Sequence, residues 1–280
     1  MPSENRSKSR PNEEAHPPLS VVVPVFNEEK TLAVVVNKLL AIPHLFEIIV
    51  VDDGSTDGTA QIGAALSAQH PQIRFERLPK NSGKTAALKA GFRLSRGDIV
   101  IVQDADLEYD PDEIADVIQP ILDGHADVVY GSRFLVRRAA RVLYFYHFLA
   151  NKMLTFLSNI FTNLNMTDIE TGYKAFRGEI IRNMIIVSDR FGFEVEATAK
   201  VAKLKIAIYE VPISYYGRTY HEGKKIELRD GLIALWLIPR FNLFWNLGQS
   251  FREIPQLTTK NDPNTAASAS VGYRALAPDE

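Results

Sequence analysis

Ile99-Val100-Ile101-Val102-Gln103-Asp104-Ala105-Asp106-Leu107-Glu108-Tyr109-Asp110-Pro111 is the stretch on which the fold turns. After Arg96-Gly97-Asp98 it runs apolar without a polar break, which predicts a strand buried on both faces, as in a parallel sheet. It then ends in acid. Asp104 and Asp106 stand two apart, so on an extended chain both side chains share a face, roughly 7 Å apart. Carboxylates that close stay ionised most easily beside a cation. An all-oxygen pair suits Mg²⁺ or Mn²⁺, which complete their shells with substrate phosphates. A polar loop that merely caps the strand competes for the same residues.

Working back towards the N-terminus, residues 19–25 and 46–51 read as two more buried strands, and the alternating 73–78 as a strand nearer an edge. Between them lie helical patterns. One carries the stripe Leu32, Val35, Val36, Leu39 and Leu40, with Asn27 as its expected cap and Glu28 and Glu29 at its positive end. Others start at Asp57, at Asn81-Ser82-Gly83-Lys84 and at Pro111, and residues 126–130 form a further strand. Alternating strand and helix predicts an α/β fold with a mostly parallel central sheet covered by helices on both faces. Ligands of such sheets bind beyond the carboxyl ends of the strands. The clusters at residues 24–27, Asp52-Asp53 and Asp104-Ala105-Asp106 all fall there, so they are expected to converge.

Past Tyr130 the pattern changes. Arg133, Arg137, Arg138 and Arg141 lie close together, and residues 142–161 are rich in Phe, Tyr and Leu. That predicts a helix with a large apolar face, either packed in the core or lying in a membrane surface. Helices are expected near 180–186 and 193–203, and a late strand at 206–213 in which Pro212 marks an edge or an end. Residues 216–225 form a basic, glycine-containing loop, and residues 232–247 place Trp236, Phe241, Phe244 and Trp245 around Pro239-Arg240, a composition suited to a membrane–water interface.

Composition excludes several classes. The chain of 280 residues has 46% hydrophobic content, enough for one sizeable core, and its net charge of -2 supplies no global field for nucleic acid. With no cysteine, disulfides, thiolate metal sites and a thiol nucleophile are ruled out. Residues 1–18 and 258–280 read as disordered tails, and no run reaches the roughly 18 apolar residues a membrane span needs. Gly83-Lys84-Thr85 ends like a phosphate loop, but Arg77 or Leu78 stands where its first glycine belongs, so an ATPase is rejected. The six histidines show no ligand spacing.

The acid cluster at strand ends suggests a diphosphate substrate whose leaving charge a divalent cation neutralises. Asp52 or Asp53 can accept hydrogen bonds from a base or ribose. A plain strand-to-helix turn capped by Ser55 or Thr56 is the alternative for that segment.

Taken together, Val23-Pro24-Val25-Phe26-Asn27-Glu28, Val51-Asp52-Asp53-Gly54-Ser55, Asn81-Ser82-Gly83-Lys84, Asp104-Ala105-Asp106-Leu107-Glu108 and Gly131-Ser132-Arg133 resemble, in order and spacing, the family 2 inverting glycosyltransferases. The likeness is strongest to the dolichyl-phosphate mannose synthase and undecaprenyl-phosphate glycosyltransferase branch. It implies a GT-A fold, a Rossmann-like variant of the expected sheet, over residues 19–230, followed by an amphipathic helical segment at 231–257. It further implies inverting transfer of a sugar from a nucleotide-diphosphate donor to a polyprenyl phosphate with Mg²⁺ or Mn²⁺. By the same resemblance Pro24, Phe26, Glu28, Asp52, Lys84, Asp104 and Ala105, with Asp53 as a weaker candidate, contact the nucleotide. Asp104, Asp106 and Glu108 hold the metal, although mannose synthases of this branch often carry Gln in place of Glu108. Asp106 and Arg133 serve catalysis, and Asp168 matches the proposed base. Arg133, Arg218 and Lys224 suit an acceptor phosphate, because guanidinium pairs bidentately with phosphate. The expected setting is the cytoplasmic face of a membrane, reached through the aromatic and basic helices or through a membrane-protein partner. A soluble acceptor and a non-catalytic scaffold are the rival readings. A glycosidase fits poorly, since its two carboxylates must flank the scissile bond.

Overall fold

The computed structural model describes residues 18–135, 144–190, 192–217 and 228–256. The expected tails therefore lie almost wholly outside the described residues, as do Arg137, Arg138, Arg141, Arg218 and Lys224.

The chain runs β1 (Leu19–Val25), α1 (Leu32–Leu39), β2 (Leu45–Asp52), α2 (Thr59–Gln69), β3 (Ile73–Arg77), α3 (Lys84–Leu94) and β4 (Ile99–Val102). A 3₁₀ turn (Pro111–Glu113) leads into α4 (Ile114–Leu122), then β5 (Val128–Ser132), α5 (Phe145–Thr162), β6 (Lys174–Arg177) and α6 (Gly178–Asn183). The described chain closes with α7 (Phe193–Leu204), β7 (Ile208–Pro212), α8 (Leu228–Leu243) and α9 (Leu247–Ser250). One seven-stranded sheet results, in the order β3-β2-β1-β4-β6-β5-β7. All its pairings are parallel except those of β6, which runs against both β4 and β5. The expected edge strands, β3 and β7, are the edges.

Unbroken apolar strands make sense because each feeds two cores. Val22, Ile49, Val51, Val100 and Val102 face α3, α7 and α8, while Val21, Val23, Ile48, Val50, Ile99 and Ile101 face α1 and α4. The sheet reverses direction at β1: the chain moves outward through β2 and β3, then returns to lay β4 on the other side of β1. A crevice opens at the carboxyl ends of strands at such a reversal.

Four local expectations are corrected. Asn27 caps no helix: it adopts φ 52°, its N–H donates to Ser55 Oγ at 2.9 Å and its Oδ1 accepts the Thr56 N–H at 2.8 Å. Glu29, expected at the start of α1, instead accepts the Gly58 N–H at 2.8 Å, at the start of α2. The helix expected at 180–186 is α6, ending at Asn183, where Met184 bridges to Phe251. Finally β6 was not anticipated, because Lys174 interrupts its apolar pattern. That lysine is fully buried, its ammonium donating to the Ile169 and Thr171 carbonyls and sitting 4.5 Å from the Tyr130 ring.

The two aromatic helices are half core and half surface. Helix α8 packs on α5 and α7, burying Ala234, Leu237, Ile238 and Phe241. Both helices leave large apolar side chains outside, among them Phe145, Leu149, Phe156 and Ile160 on α5 and Leu232, Trp236, Leu243 and Phe244 beyond or on α8. No helix among the described residues is long and apolar enough to cross a membrane.

Candidate active site

The predicted convergence occurs. The Asp53 N–H donates to the Val25 carbonyl at 2.8 Å and the Gln103 N–H to the Val22 carbonyl at 3.0 Å, so the ends of β1, β2 and β4 are stitched together. Pro24 and Glu28 are buried on this edge and Phe26 is half-buried. The Glu28 carboxylate accepts the Thr31 hydroxyl at 2.9 Å.

Asp52 and Asp53 do different jobs. Asp53 accepts the backbone N–H groups of Ser82 at 2.8 Å and Gly83 at 2.7 Å. Burial pushes its carboxyl up, and those two donors pull against it. It thereby folds the β3–α3 loop over the sheet edge. Gly83 sits there at φ 93°, a region open chiefly to glycine, and a Cβ on it would lie 2.7 Å from Arg190 Cα. Asp52 is fully buried and gives Oδ1 to the Ser55 N–H at 2.9 Å. Its Oδ2 lies 3.2 Å from Arg77 Nε, an ion contact not aligned as a hydrogen bond, so this oxygen still lacks a hydrogen-bond donor.

The folded loop delivers Lys84 to the acid cluster. Its ammonium is 2.9 Å from Asp104 Oδ1, 3.0 Å from Oδ2 and 3.3 Å from Glu194 Oε1. Burial opposes its charge, but the Asp104 and Glu194 carboxylates outweigh that and raise its pKa. Ala105 is buried beneath, and Asp106 Oδ1 accepts the Glu108 N–H at 3.1 Å. Glu108 itself is turned aside: Oε2 accepts the Tyr215 hydroxyl at 2.8 Å. Among the described residues no three acidic or imidazole groups assemble as a metal cage. The tyrosine hydroxyl supplies the donor that draws Glu108 away. The two aspartates still fit a divalent cation that takes its remaining oxygens from a diphosphate. Glycine is required beside them, since a Cβ on Gly172 would lie 2.5 Å from Asp104 Oδ2 and 3.2 Å from Lys84 Nζ.

Because β6 is antiparallel, its beginning lies on the carboxyl edge of the sheet, and the segment before it, 167–173, drops into the site. Gly172 donates to the Tyr109 hydroxyl at 3.0 Å. Asp168 meets Arg133, which follows β5 on the same edge: Nε–Oδ2 is 2.7 Å and Nη2–Oδ1 2.8 Å, with further donors from the Arg133 backbone at 3.2 Å and Asn151 at 3.3 Å. Burial works against the Asp168 charge, but the guanidinium holds its carboxyl below the usual range. A carboxylate so engaged is a poor base, which is the physical objection to the role expected for it. The guanidinium also lies 5.2 Å from the Tyr215 ring. Helix α5 is tied in through Asn151 and through Lys152, which donates to the Thr167 carbonyl at 3.1 Å.

Sequence reasoning gave no individual role to Glu170, Lys174, Glu194, Tyr109 or Tyr215. No sequence signal sets Glu194 apart, since an acidic residue in the first turn of a helix is favoured by the helix dipole in any case.

Comparison with known proteins agrees with this geometry. Solved structures share the fold: glucosyl-3-phosphoglycerate synthase from Mycobacterium tuberculosis, in complex with Mn²⁺, uridine diphosphate and phosphoglyceric acid, superposes with TM-score 0.62 at 20% identity, covering 81% of this chain and 79% of that one. Mannosyl-3-phosphoglycerate synthase from Rubrobacter xylanophilus gives TM-score 0.61 at 20% identity, covering 88% and 78%. The architecture is thus the GT-A fold. In sequence, the undecaprenyl-phosphate mannosyltransferase of Micrococcus luteus is 31% identical over 214 residues, 72% of this chain and 85% of that protein. The polyprenol monophosphomannose synthase of Mycolicibacterium smegmatis is 28% identical, over 71% of this chain and 77% of that protein. The undecaprenyl-phosphate 4-deoxy-4-formamido-L-arabinose transferase of Aeromonas hydrophila is 30% identical, and here the match spans only 62% of the relative's length. The profile of glycosyl transferase family 2 matches residues 20–185, more than half of the chain. With the strand-end acids, the GT-A sheet and that match in agreement, the chain belongs to glycosyl transferase family 2 and is a glycosyltransferase.

Proposed function

We propose that the protein transfers a sugar, with inversion, from a nucleoside-diphosphate sugar to a polyprenyl phosphate, working peripherally on the cytoplasmic face of a membrane. The observation that carries this reading is the Arg133–Asp168 clamp, tied by Asn151 and Lys152 to α5, whose outer surface is aromatic and exposed. A phosphate-binding guanidinium beside an apolar helix suits an acceptor with a charged head and a hydrocarbon tail. The names of the relatives support the same acceptor class.

In this mechanism the open oxygen of Asp52 takes a donor from the nucleoside, with Pro24, Phe26 and Glu28 beside it and Asp53 shaping the loop. Asp104 and Asp106 would hold Mg²⁺ or Mn²⁺, which supplies charge neutralisation for the departing diphosphate. Lys84 adds a fixed positive charge at the same place, and Ala105 keeps the floor of the site small. Arg133 orients the acceptor phosphate, with Arg218 and Lys224 assigned to the same task from sequence alone. The acceptor oxygen attacks the anomeric carbon from the face opposite the diphosphate. A phosphate monoester, with a second pKa of about 6, is already largely dianionic at neutral pH. It needs aim more than deprotonation, so Asp168 acts by holding Arg133 rather than as a base. Attachment to the membrane is through α5 and α8 directly or through a membrane-protein partner.

The test is to incubate the protein with Mg²⁺ or Mn²⁺, undecaprenyl phosphate and a panel of UDP- and GDP-sugars. A lipid-phosphate sugar is the expected product. Transfer confined to water-soluble acceptors would overturn the acceptor assignment.

A further inference from the structure

Glu194 lies in the first turn of α7, is only 6% exposed, and has one oxygen too many for its surroundings. Oε1 faces Lys84 at 3.3 Å, whereas Oε2 is buried with no hydrogen-bond partner. Glu170, beside it, repeats the pattern: its Oε1 is buried and unpartnered too, and the two carboxylates feel each other's charge. Buried polar oxygens are seldom left unmet, and those that are call for an explanation.

The position narrows what could meet them. Lys84 bridges Asp104 and Glu194, so the buried, unpartnered oxygen of Glu194 lies two ion-pair contacts from the aspartate assigned to the diphosphate. A carboxylate oxygen accepts hydrogen bonds, so what meets it must donate. The diphosphate and the acceptor phosphate are themselves anionic acceptors and are repelled. The base and ribose belong at Asp52, on the other side of β1. Two cations already serve this corner, Lys84 at Glu194 and Lys174 fixed to backbone carbonyls. What remains of the substrates is the donor's sugar ring, which is joined to the diphosphate and carries several hydroxyl donors.

We propose that Glu194, with Glu170 beside it, accepts hydrogen bonds from hydroxyl groups of the donor sugar and so helps to decide which nucleotide sugar is used. The inference rests on the donor half of the proposed function and is independent of the acceptor.

Glu194→Gln tests it, since the amide keeps the shape and the contact surface but removes the charge. Calorimetric titrations with UDP, GDP, UDP-glucose and GDP-mannose, each with Mn²⁺ present, are run on wild type and variant. The expected result is an affinity for the bare diphosphate within about threefold of wild type. Affinity for the matching nucleotide sugar, by contrast, should fall about tenfold or more, as expected for a lost charge-assisted bond. Equal losses for diphosphate and nucleotide sugar would mean that Glu194 acts only by steadying Lys84, and would overturn the proposal, as would unchanged sugar affinity. Should Glu194→Gln fail to fold, Glu170→Gln decides, with the same sugar-selective loss expected and unchanged sugar affinity overturning the proposal. A wild-type protein that binds bare diphosphate but gains nothing from the attached sugar overturns this inference alone. One that binds neither overturns the donor reading beneath it.

Discussion

Arg133 and Asp168 face each other as a fork on a fork, with contacts of 2.7 and 2.8 Å, the carboxylate sealed from solvent and the guanidinium largely buried with it. The pair fixes Arg133 with its guanidinium 5.2 Å from the Tyr215 ring, while Asn151 of α5 donates to the same carboxylate.

Removing the carboxylate should therefore cost stability as well as function. Asp168→Asn leaves a buried guanidinium without its counter-ion, a change worth about 3–5 kcal/mol in such pairs. The pH dependence follows from the depressed Asp168 pKa. The folded value lies below the ordinary 3.8, so the unfolded chain binds more protons in that window. The pair's contribution is complete above pH 3.8 and is lost as pH falls through the folded value. Urea unfolding between pH 2.5 and 6 checks this: wild type should show the acid-side loss and Asp168→Asn a flatter profile. Parallel curves for the two proteins would refute the pairing.

Asp106 is half-buried, and its Oδ1 accepts the Glu108 N–H at 3.1 Å. Asp106→Ala should abolish transfer while the thermal midpoint moves by only a few degrees, about what 1 kcal/mol produces in a chain of this size. EDTA should likewise abolish transfer, and Mn²⁺ or Mg²⁺ should restore it. Full activity in EDTA would sink the metal assignment. Glu108→Gln, by contrast, should retain most activity, because the carboxylate is engaged by Tyr215.

The exposed aromatics give a separate test. Phe156 on α5 is 67% exposed and Trp236 on α8 62%. The double variant Phe156→Ser, Trp236→Ser should lose most of its flotation with liposomes containing anionic lipid, with nucleotide affinity unchanged. Wild-type protein that stays wholly in the soluble fraction counts against peripheral attachment through these helices.

How much of this could be read from the chain follows the physics of each element. The central strands were legible because burial on both faces demands unbroken apolar runs such as Val21-Val22-Val23 and Ile99-Val100-Ile101-Val102. Their polar ends were legible for the same reason, since side chains there can only face a ligand or a turn. Strand β6 was hidden because Lys174 is buried through backbone carbonyls that no sequence pattern announces. The division of labour between Asp52 and Asp53 was hidden as well. It depends on which carboxylate the Ser82 and Gly83 amides reach across thirty residues of chain. Glu108 was assigned by the family resemblance, and the hydroxyl that donates to it comes from Tyr215, more than a hundred residues later.

The last prediction separates donor from acceptor. Asp52 offers a buried oxygen without a hydrogen bond at the end of β2, and Arg133 offers a guanidinium beyond β5, on the far side of Asp104 in the sheet order. Asp52→Asn keeps the carbonyl that the Ser55 amide needs, but turns an NH₂ towards Arg77 and removes the acceptor meant for the nucleoside. Nucleotide affinity should fall about ten- to a hundredfold, the value of a charge-assisted hydrogen bond of roughly 1.5–3 kcal/mol. Arg133→Lys keeps the charge and loses the fork, so the loss should appear in acceptor KM or in kcat, with nucleotide binding nearly untouched. Titration of both variants with UDP and GDP, beside a lipid-acceptor assay, reads the two effects apart. If Arg133→Lys weakens nucleotide binding as much as Asp52→Asn does, Arg133 belongs to the donor side and the acceptor must be held elsewhere.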